Sequence, residues 1–132
     1  MKCLFCNIDL PKNRKYCSNK CEQEYFYKQN IEKWFKGEIT GSVKYRPSAW
    51  VKRYLLEKYD SKCSKCGWNE INKFTNRLPL EIEHIDGNAY NNTPENLLLL
   101  CPNCQSLTKT YRGANVGNGR RSYLKKYYLK TN

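Results

Sequence analysis

Eight cysteines and a single histidine are the residues of this 132-residue chain best suited to chemistry. The cysteines fall into four short pairs: Cys3-x2-Cys6, then Cys17-x3-Cys21 after ten residues, and Cys63-x2-Cys66, then Cys101-x2-Cys104 after 34 residues. A two- or three-residue spacer lets both thiolates of a pair reach one tetrahedral zinc, and two such pairs close a structural site. The spacing therefore predicts two zinc ions, one on Cys3, Cys6, Cys17 and Cys21, the other on Cys63, Cys66, Cys101 and Cys104. Closed four-thiolate sites leave no open coordination position, so both zincs should hold the fold rather than catalyse. Four disulfides in a small secreted protein is the competing reading. The local pairing argues against it, and so does Met1-Lys2-Cys3 running straight into a cysteine pair with no apolar leader. A reducing, cytoplasmic compartment is expected.

His84 lies inside the long interval between the second set of pairs, next to Glu83. Alone it would read as an ordinary strand residue. Beside a carboxylate, on a zinc-pinned segment of a basic protein, it suits metal-assisted phosphodiester hydrolysis. A neutral imidazole can take a proton from water near pH 7, while the carboxylate holds a divalent cation against the phosphate.

Positioning these groups falls to a few short elements. After the first cysteine unit, Ser18 reads as a helix N-cap with Glu22 and Glu24 at the positive helix end. Tyr25, Phe26, Ile31, Trp34 and Phe35 then form an apolar stripe at helical spacing, packed on a small core. Gly37 to Ser42 breaks the chain, and Pro47-Ser48 opens a second helix whose Trp50, Val51, Tyr54 and Leu55 recur at helical intervals as far as Tyr59. Beyond the Cys63–Cys66 knuckle, Leu80, Ile82 and His84 share one face of a strand, with Glu81 and Glu83 on the other. Asp86-Gly87-Asn88 turns the chain, Leu97 to Leu100 is a second short strand, and Pro102 starts a helix carrying Cys104 and Gln105. This divides the chain into a zinc finger with helix at 1–46, a second zinc-bearing domain at 47–119 and a basic tail at 120–132.

The composition agrees with a small, metal-stapled fold. Hydrophobic residues are 39% of the chain, low for a fold stabilised by burial alone. The longest purely apolar run, Leu97 to Cys101, is five residues, which excludes a membrane-spanning helix. The formal net charge is +12, and no acidic side chain follows Glu95. Lys109, Arg112, Arg120, Arg121, Lys125, Lys126 and Lys130 occupy that last stretch, with Tyr123, Tyr127 and Tyr128 among them. Basic residues interleaved with aromatics suit a phosphate backbone, which points to nucleic acid as partner.

Taken together, Glu83-His84-Ile85-Asp86-Gly87-Asn88, Asn96-Leu97 and Leu100-Cys101-Pro102-Asn103-Cys104 resemble the HNH endonucleases, in particular the small phage-encoded type with a CxxC…CxxC zinc. Cys63 to Glu70 and Leu107 to Gly113 look like that group as well, so the resemblance covers residues 50 to 120 firmly and the N-terminal unit more loosely. It implies an α+β chain: a ββα-metal, treble-clef-like nuclease domain preceded by a four-cysteine zinc finger and helices. It implies a DNA endonuclease with double-stranded DNA as partner, a phosphodiesterase that nicks one strand per active site, in the host cytoplasm if phage-encoded. A homodimer or a phage protein partner stays open. His84 would be the general base, Glu83 the acidic ligand of a catalytic Mg²⁺ or Mn²⁺, and Asn96 the middle asparagine that ties the loop to the His-bearing strand. The family's final histidine, also a ligand of the catalytic cation, should follow Cys104, and here that residue is Gln105. An amide oxygen is a neutral hard ligand acceptable to Mg²⁺ or Mn²⁺. Some relatives carry Asn there, although Gln is one methylene longer. Three readings follow: the enzyme works with Gln105, it is naturally weakened, or the residue was substituted to trap a complex. The alternative from another class is a zinc-dependent DNA-binding protein without catalysis.

Overall fold

The computed structural model describes residues 1–44 and 46–115. They form two compact units, Met1–Ile39 and a second from Thr40 onward. The element order is α1 (Asn19–Phe35), β1 (Ser42–Val43), β2 (Arg46–Pro47), α2 (Ala49–Lys58), β3 (Glu81–His84), β4 (Leu97–Leu100) and α3 (Pro102–Ser106), with single 3-10 turns at Pro94–Asn96 and Arg112–Asn115.

In the first unit a tight knuckle carries Cys3 and Cys6. Its Cys3 N–H donates to the Ile8 carbonyl at 2.9 Å and its Asn7 N–H to the Cys3 carbonyl at 3.0 Å. Asn7 sits at φ +64°, a left-handed conformation that asparagine tolerates better than most residues. Ser18 caps α1 as the sequence predicts, its Oγ accepting from the Cys21 N–H at 3.2 Å. The apolar stripe is less buried than its spacing suggests. Trp34 is buried, but Phe26 and Phe35 remain about half exposed. Tyr16, Tyr25 and Phe26 instead cluster with one another, at centroid separations of 5.5 to 6.1 Å. Aromatic faces of this kind gain from edge and tilted contacts without a deep core.

The second unit repeats the knuckle and adds a sheet. The Cys63 N–H donates to the Trp68 carbonyl and the Gly67 N–H to the Cys63 carbonyl, both at 2.9 Å. Gly67 takes the left-handed position, at φ +78°, that Asn7 occupies in the first knuckle. β3 and β4 pair antiparallel, with Glu81 opposite Leu100 and His84 opposite Leu97. The core is small and leucine-rich: Val51 and Leu55 of α2, one helical turn apart, are buried together with Leu80, Leu97, Leu99 and Leu100. α2 packs on β4, and α3 packs on both strands. The Ser64 N–H donates to the Leu99 carbonyl at 2.8 Å, which ties the knuckle to the ribbon.

One element differs from the sequence-based expectation. Residues that read as a break and a helix entry form the β1–β2 hairpin, in which Ser42 pairs with Pro47 and Val43 with Arg46. Two-residue strands are too short to show alternation, so composition masks them. The hairpin feeds α2 directly, since the Ser48 N–H donates back to the Gly41 carbonyl at 2.8 Å.

Candidate metal centres and active-site groove

All eight cysteines are free of disulfides. They gather into two groups, Cys3, Cys6, Cys17 and Cys21, and Cys63, Cys66, Cys101 and Cys104, with the sulfurs of each group within 4.8 Å of one another. Individual separations are 3.6 Å for Cys6–Cys17, 3.3 Å for Cys17–Cys21 and 3.7 Å for Cys66–Cys101. A disulfide needs about 2.05 Å. Four sulfurs at about 2.3 Å from one tetrahedral zinc lie about 3.8 Å apart, so both groups fit a zinc site.

The electrostatics of the clusters fit as well. The backbone N–H of Cys6 aimed at Cys3 holds that thiol down at about 6, against the opposing effect of burial. At Cys63 burial also opposes ionisation, but the backbone N–H groups of Cys101, Cys66 and Lys65 outweigh it and again bring the thiol to about 6. Their neighbours go the other way. Cys21 is pushed up to about 12 by the Cys17 thiol and by burial. Cys104 is pushed up to about 12 by burial and by Cys66, Cys101 and Cys63. Four sulfurs this close cannot all ionise unless a cation offsets their repulsion, and a bound dication does so.

The second cluster brackets Glu83, His84 and Asn96, and Gln105 follows its last cysteine. Knuckle and α3 supply its ligands, and Cys101 also caps α3, its sulfur accepting from the Cys104 N–H at 3.4 Å. The 34 residues between the two pairs carry β3, a polar loop and β4. Glu83 and His84, adjacent at the end of β3, would alternate faces. Both nevertheless line one groove, with Gln105 of α3 and with Thr110, Tyr111 and Arg112 beyond it. β3 pairs with β4 alone among the described residues, so its outer edge is open and side chains from both faces can border a groove over that edge. The groove encloses about 530 Å³. It continues into a second depression that shares Ile82, His84, Ala89 and Gln105 and adds Arg46 and Lys52. The Thr110 hydroxyl donates to the Glu83 carboxylate at 3.1 Å.

Asn96 sits buried at the entrance to β4 and organises the loop. Its Oδ1 accepts from the Asp86 N–H at 3.0 Å, and its Nδ2 donates to Asp86 Oδ1 at 2.9 Å and to the Asn91 carbonyl at 2.8 Å. The Asn96 carbonyl accepts from the Ile85 N–H at 2.8 Å, next to His84. Asp86 is the loop's acceptor. Burial raises its carboxyl, but bonds from Asn91, Asn88 and Asn96 and the charge of His84 outweigh that and hold it below the ordinary value.

Of the basic residues singled out from sequence, Arg112 borders the groove with its guanidinium 5.0 Å from the Tyr111 ring centroid. Lys109 is exposed and lines a separate depression that also includes Glu83 and Thr110. Arg120, Arg121, Lys125 and Lys126, with Lys130, lie outside the described residues. Sequence reasoning assigned no role to Arg46 or Lys52, which belong to no motif, nor to Thr110, which lies in the Leu107 to Gly113 stretch. It also missed Asn92, whose Oδ1 lies 2.7 Å from His84 Nε2. Its only sequence signal is its place in an asparagine-rich loop.

Fold and groove define a class: a ββα unit closed by a four-cysteine cluster that fits zinc, with an acid–imidazole pair on the ribbon edge. Comparison with known proteins narrows it. The chain is 39% identical over 112 residues to the H-N-H endonuclease F-TflIV of Escherichia phage T5, a match covering 83% of this chain and 43% of that protein. The chain is a homologue of an HNH endonuclease, and it spans less than half the length of that relative. No protein-family model matches it. The solved structure of the Type IV phosphorothioation-dependent restriction endonuclease ScoMcrA aligns at 21% identity with a TM-score of 0.44, covering 89% of this chain and 28% of that one. Among the described residues no helix is long and apolar enough to cross a membrane.

Proposed function

We propose that this chain is a DNA endonuclease of the HNH type that hydrolyses phosphodiester bonds with a His84-activated water. The observation that carries the reading is the meeting on one groove of Glu83 and His84, inside the interval closed by the second cysteine cluster, with Gln105 and Arg112, which follow it. His84 takes a proton from water as the water oxygen bonds to phosphorus, and the phosphorus–oxygen bond to the leaving sugar breaks, its oxygen gaining a proton. Arg112 on one side, with Arg46 and Lys52 on the other, neutralises the phosphates of the bound strand. Glu83 and Gln105 would hold a hard divalent cation such as Mg²⁺ or Mn²⁺ through oxygen donors. When bound, such a cation would stabilise the charge that builds on phosphate in the transition state. The two zincs are structural. A single active groove cuts one strand at a time.

Gln105 supports a second reading, a zinc-dependent DNA-binding protein with weakened or silent catalysis. Supercoiled plasmid incubated with Mg²⁺ or Mn²⁺ separates the two. Nicking by the wild-type chain, abolished in His84→Ala, supports the nuclease. Nicking only after Gln105→His assigns the natural chain to the second reading.

A further inference from the structure

We propose that Asn92 is a positioning residue that fixes the tautomer of His84, placing the imidazole proton on Nε2 and leaving Nδ1 as the basic nitrogen. Asn92 is 3% exposed and lies outside every motif, four residues before Asn96. Both ends of its side chain are engaged. The Nδ2 group donates to Ser42 Oγ at 2.7 Å, reaching the β1–β2 hairpin 50 residues away in sequence. Oδ1 faces His84 Nε2 at 2.7 Å. An amide has one donor end and one acceptor end, and a neutral imidazole has one N–H and one bare nitrogen. With the donor end committed to Ser42, the end facing the ring is an acceptor, and only an Nε2–H satisfies it. Among the described residues Nδ1 has no hydrogen-bond partner, while His84 lines both halves of the groove.

The tautomer assignment stands on this geometry alone, and its catalytic consequence rests on the nuclease reading. Water that attacks phosphorus loses its proton to Nδ1, and the imidazolium formed keeps Nε2–H on Asn92 Oδ1. The hairpin thereby gains a function: Ser42 holds the Nδ2 end of the amide, and the amide's Oδ1 sets the ring. Had the amide been reversed, with Ser42 donating to Oδ1, Nδ2 would meet a bare Nε2 and the proton would sit on Nδ1.

His84 is the chain's single histidine, so long-range ¹H–¹⁵N spectra of the zinc-loaded protein show one imidazole without ambiguity. At a pH where the ring is neutral, the wild-type spectrum should be that of the Nε2–H form alone. A wild-type ring protonated on Nδ1, or exchanging between both forms, overturns the proposal whatever any variant does. Asn92→Asp keeps an oxygen acceptor and should retain the Nε2–H form, whereas Asn92→Leu should release the ring to both tautomers. Under single-turnover conditions Asn92→Leu should cut roughly 10- to 100-fold more slowly at unchanged DNA affinity, the usual range for a group that orients a reacting side chain through a hydrogen bond. Cleavage by the Asn92→Leu variant at the wild-type rate overturns the positioning role. If Asn92→Leu loses zinc or its dispersed spectrum, Ser42→Ala replaces it, with the same tautomer mixing expected and a single retained tautomer counting against the relay. A chain that never nicks but shows the Nε2–H form rejects the nuclease reading and leaves the tautomer assignment standing.

Discussion

The two cysteine units use the same device for different ends. Each begins with a knuckle closed by two backbone hydrogen bonds, with a left-handed residue just after the second cysteine, Asn7 in one and Gly67 in the other. Each takes its last two sulfurs from a helix start, Cys17 and Cys21 around the Ser18 cap and Cys101 and Cys104 around the Cys101 cap. They differ in what lies between the pairs. Ten residues in the first unit leave room only for a link into the 17-residue α1, whereas 34 residues in the second enclose the β3–β4 ribbon and its loop. A four-cysteine clip of one geometry can therefore hold a single helix or clamp both ends of a β-hairpin. Which it does depends on the length of chain it closes.

Breaking each clip in turn is the strongest way to test that contrast. Zinc at a structural site is worth on the order of 10 kcal/mol of folding free energy, more than a small domain can lose. Cys101→Ser should drop zinc content from two ions to one, collapse the amide dispersion of the second unit and end cleavage. Cys17→Ser should also cost one zinc, but melt α1 while leaving the β3–β4 resonances in place. If both variants lose the same signals, the units are not separate.

His84→Ala sharpens the comparison by disabling the enclosed hairpin without touching either clip. Two zincs and DNA affinity should be retained while cleavage falls by a factor of roughly 10² to 10⁴, the usual contribution of a positioned general base. Single-turnover rates against binding isotherms separate the two effects.

A smaller change is expected from the basic rim. Replacing Arg46 and Lys52 together with Ala should flatten the plot of log affinity against log salt by about 0.9 for each phosphate no longer neutralised, without altering zinc content. Deleting residues 120–132, which removes Arg120, Arg121, Lys125, Lys126 and Lys130, should flatten it further if the tail lies on the backbone. An unchanged slope in either variant removes those residues from the interface.

The smallest difference should appear on acidification. Each cluster pairs a thiol lowered to about 6, Cys3 or Cys63, with one raised to about 12, Cys21 or Cys104. Zinc binds the thiolate forms, so falling pH releases it and rising pH does not. Matched electrostatics predict loss of both ions over nearly the same pH range. The amides of Asn7 and Gly67 would report the two releases separately, and a gap of more than about one pH unit between them would show the clips to be unlike.

Much of the fold is legible in local sequence. Cysteine spacing announces its own geometry because a tetrahedral ion permits few spacers, and the Ser18 cap and the Leu97–Leu100 strand follow from adjacent residues. The order of knuckle, strand, loop, strand and helix is readable for the same reason. The exposure of Phe26 and Phe35 is not, since helical periodicity says which side chains share a face but not whether anything covers that face.

Neighbouring residues alone thus set the cysteine pairs, the Ser18 cap of α1, the β3 and β4 segments, and the adjacency of Glu83 and His84. Long-range packing decided that Gln105, Arg112, Arg46 and Lys52 share the margins of the histidine's groove, and that Asn92 joins His84 to Ser42. A hydrogen bond across 50 residues leaves no periodicity and no spacing rule in the chain. It exists because β1–β2 and the loop after β3 are folded against each other, and a buried amide there must satisfy both its ends.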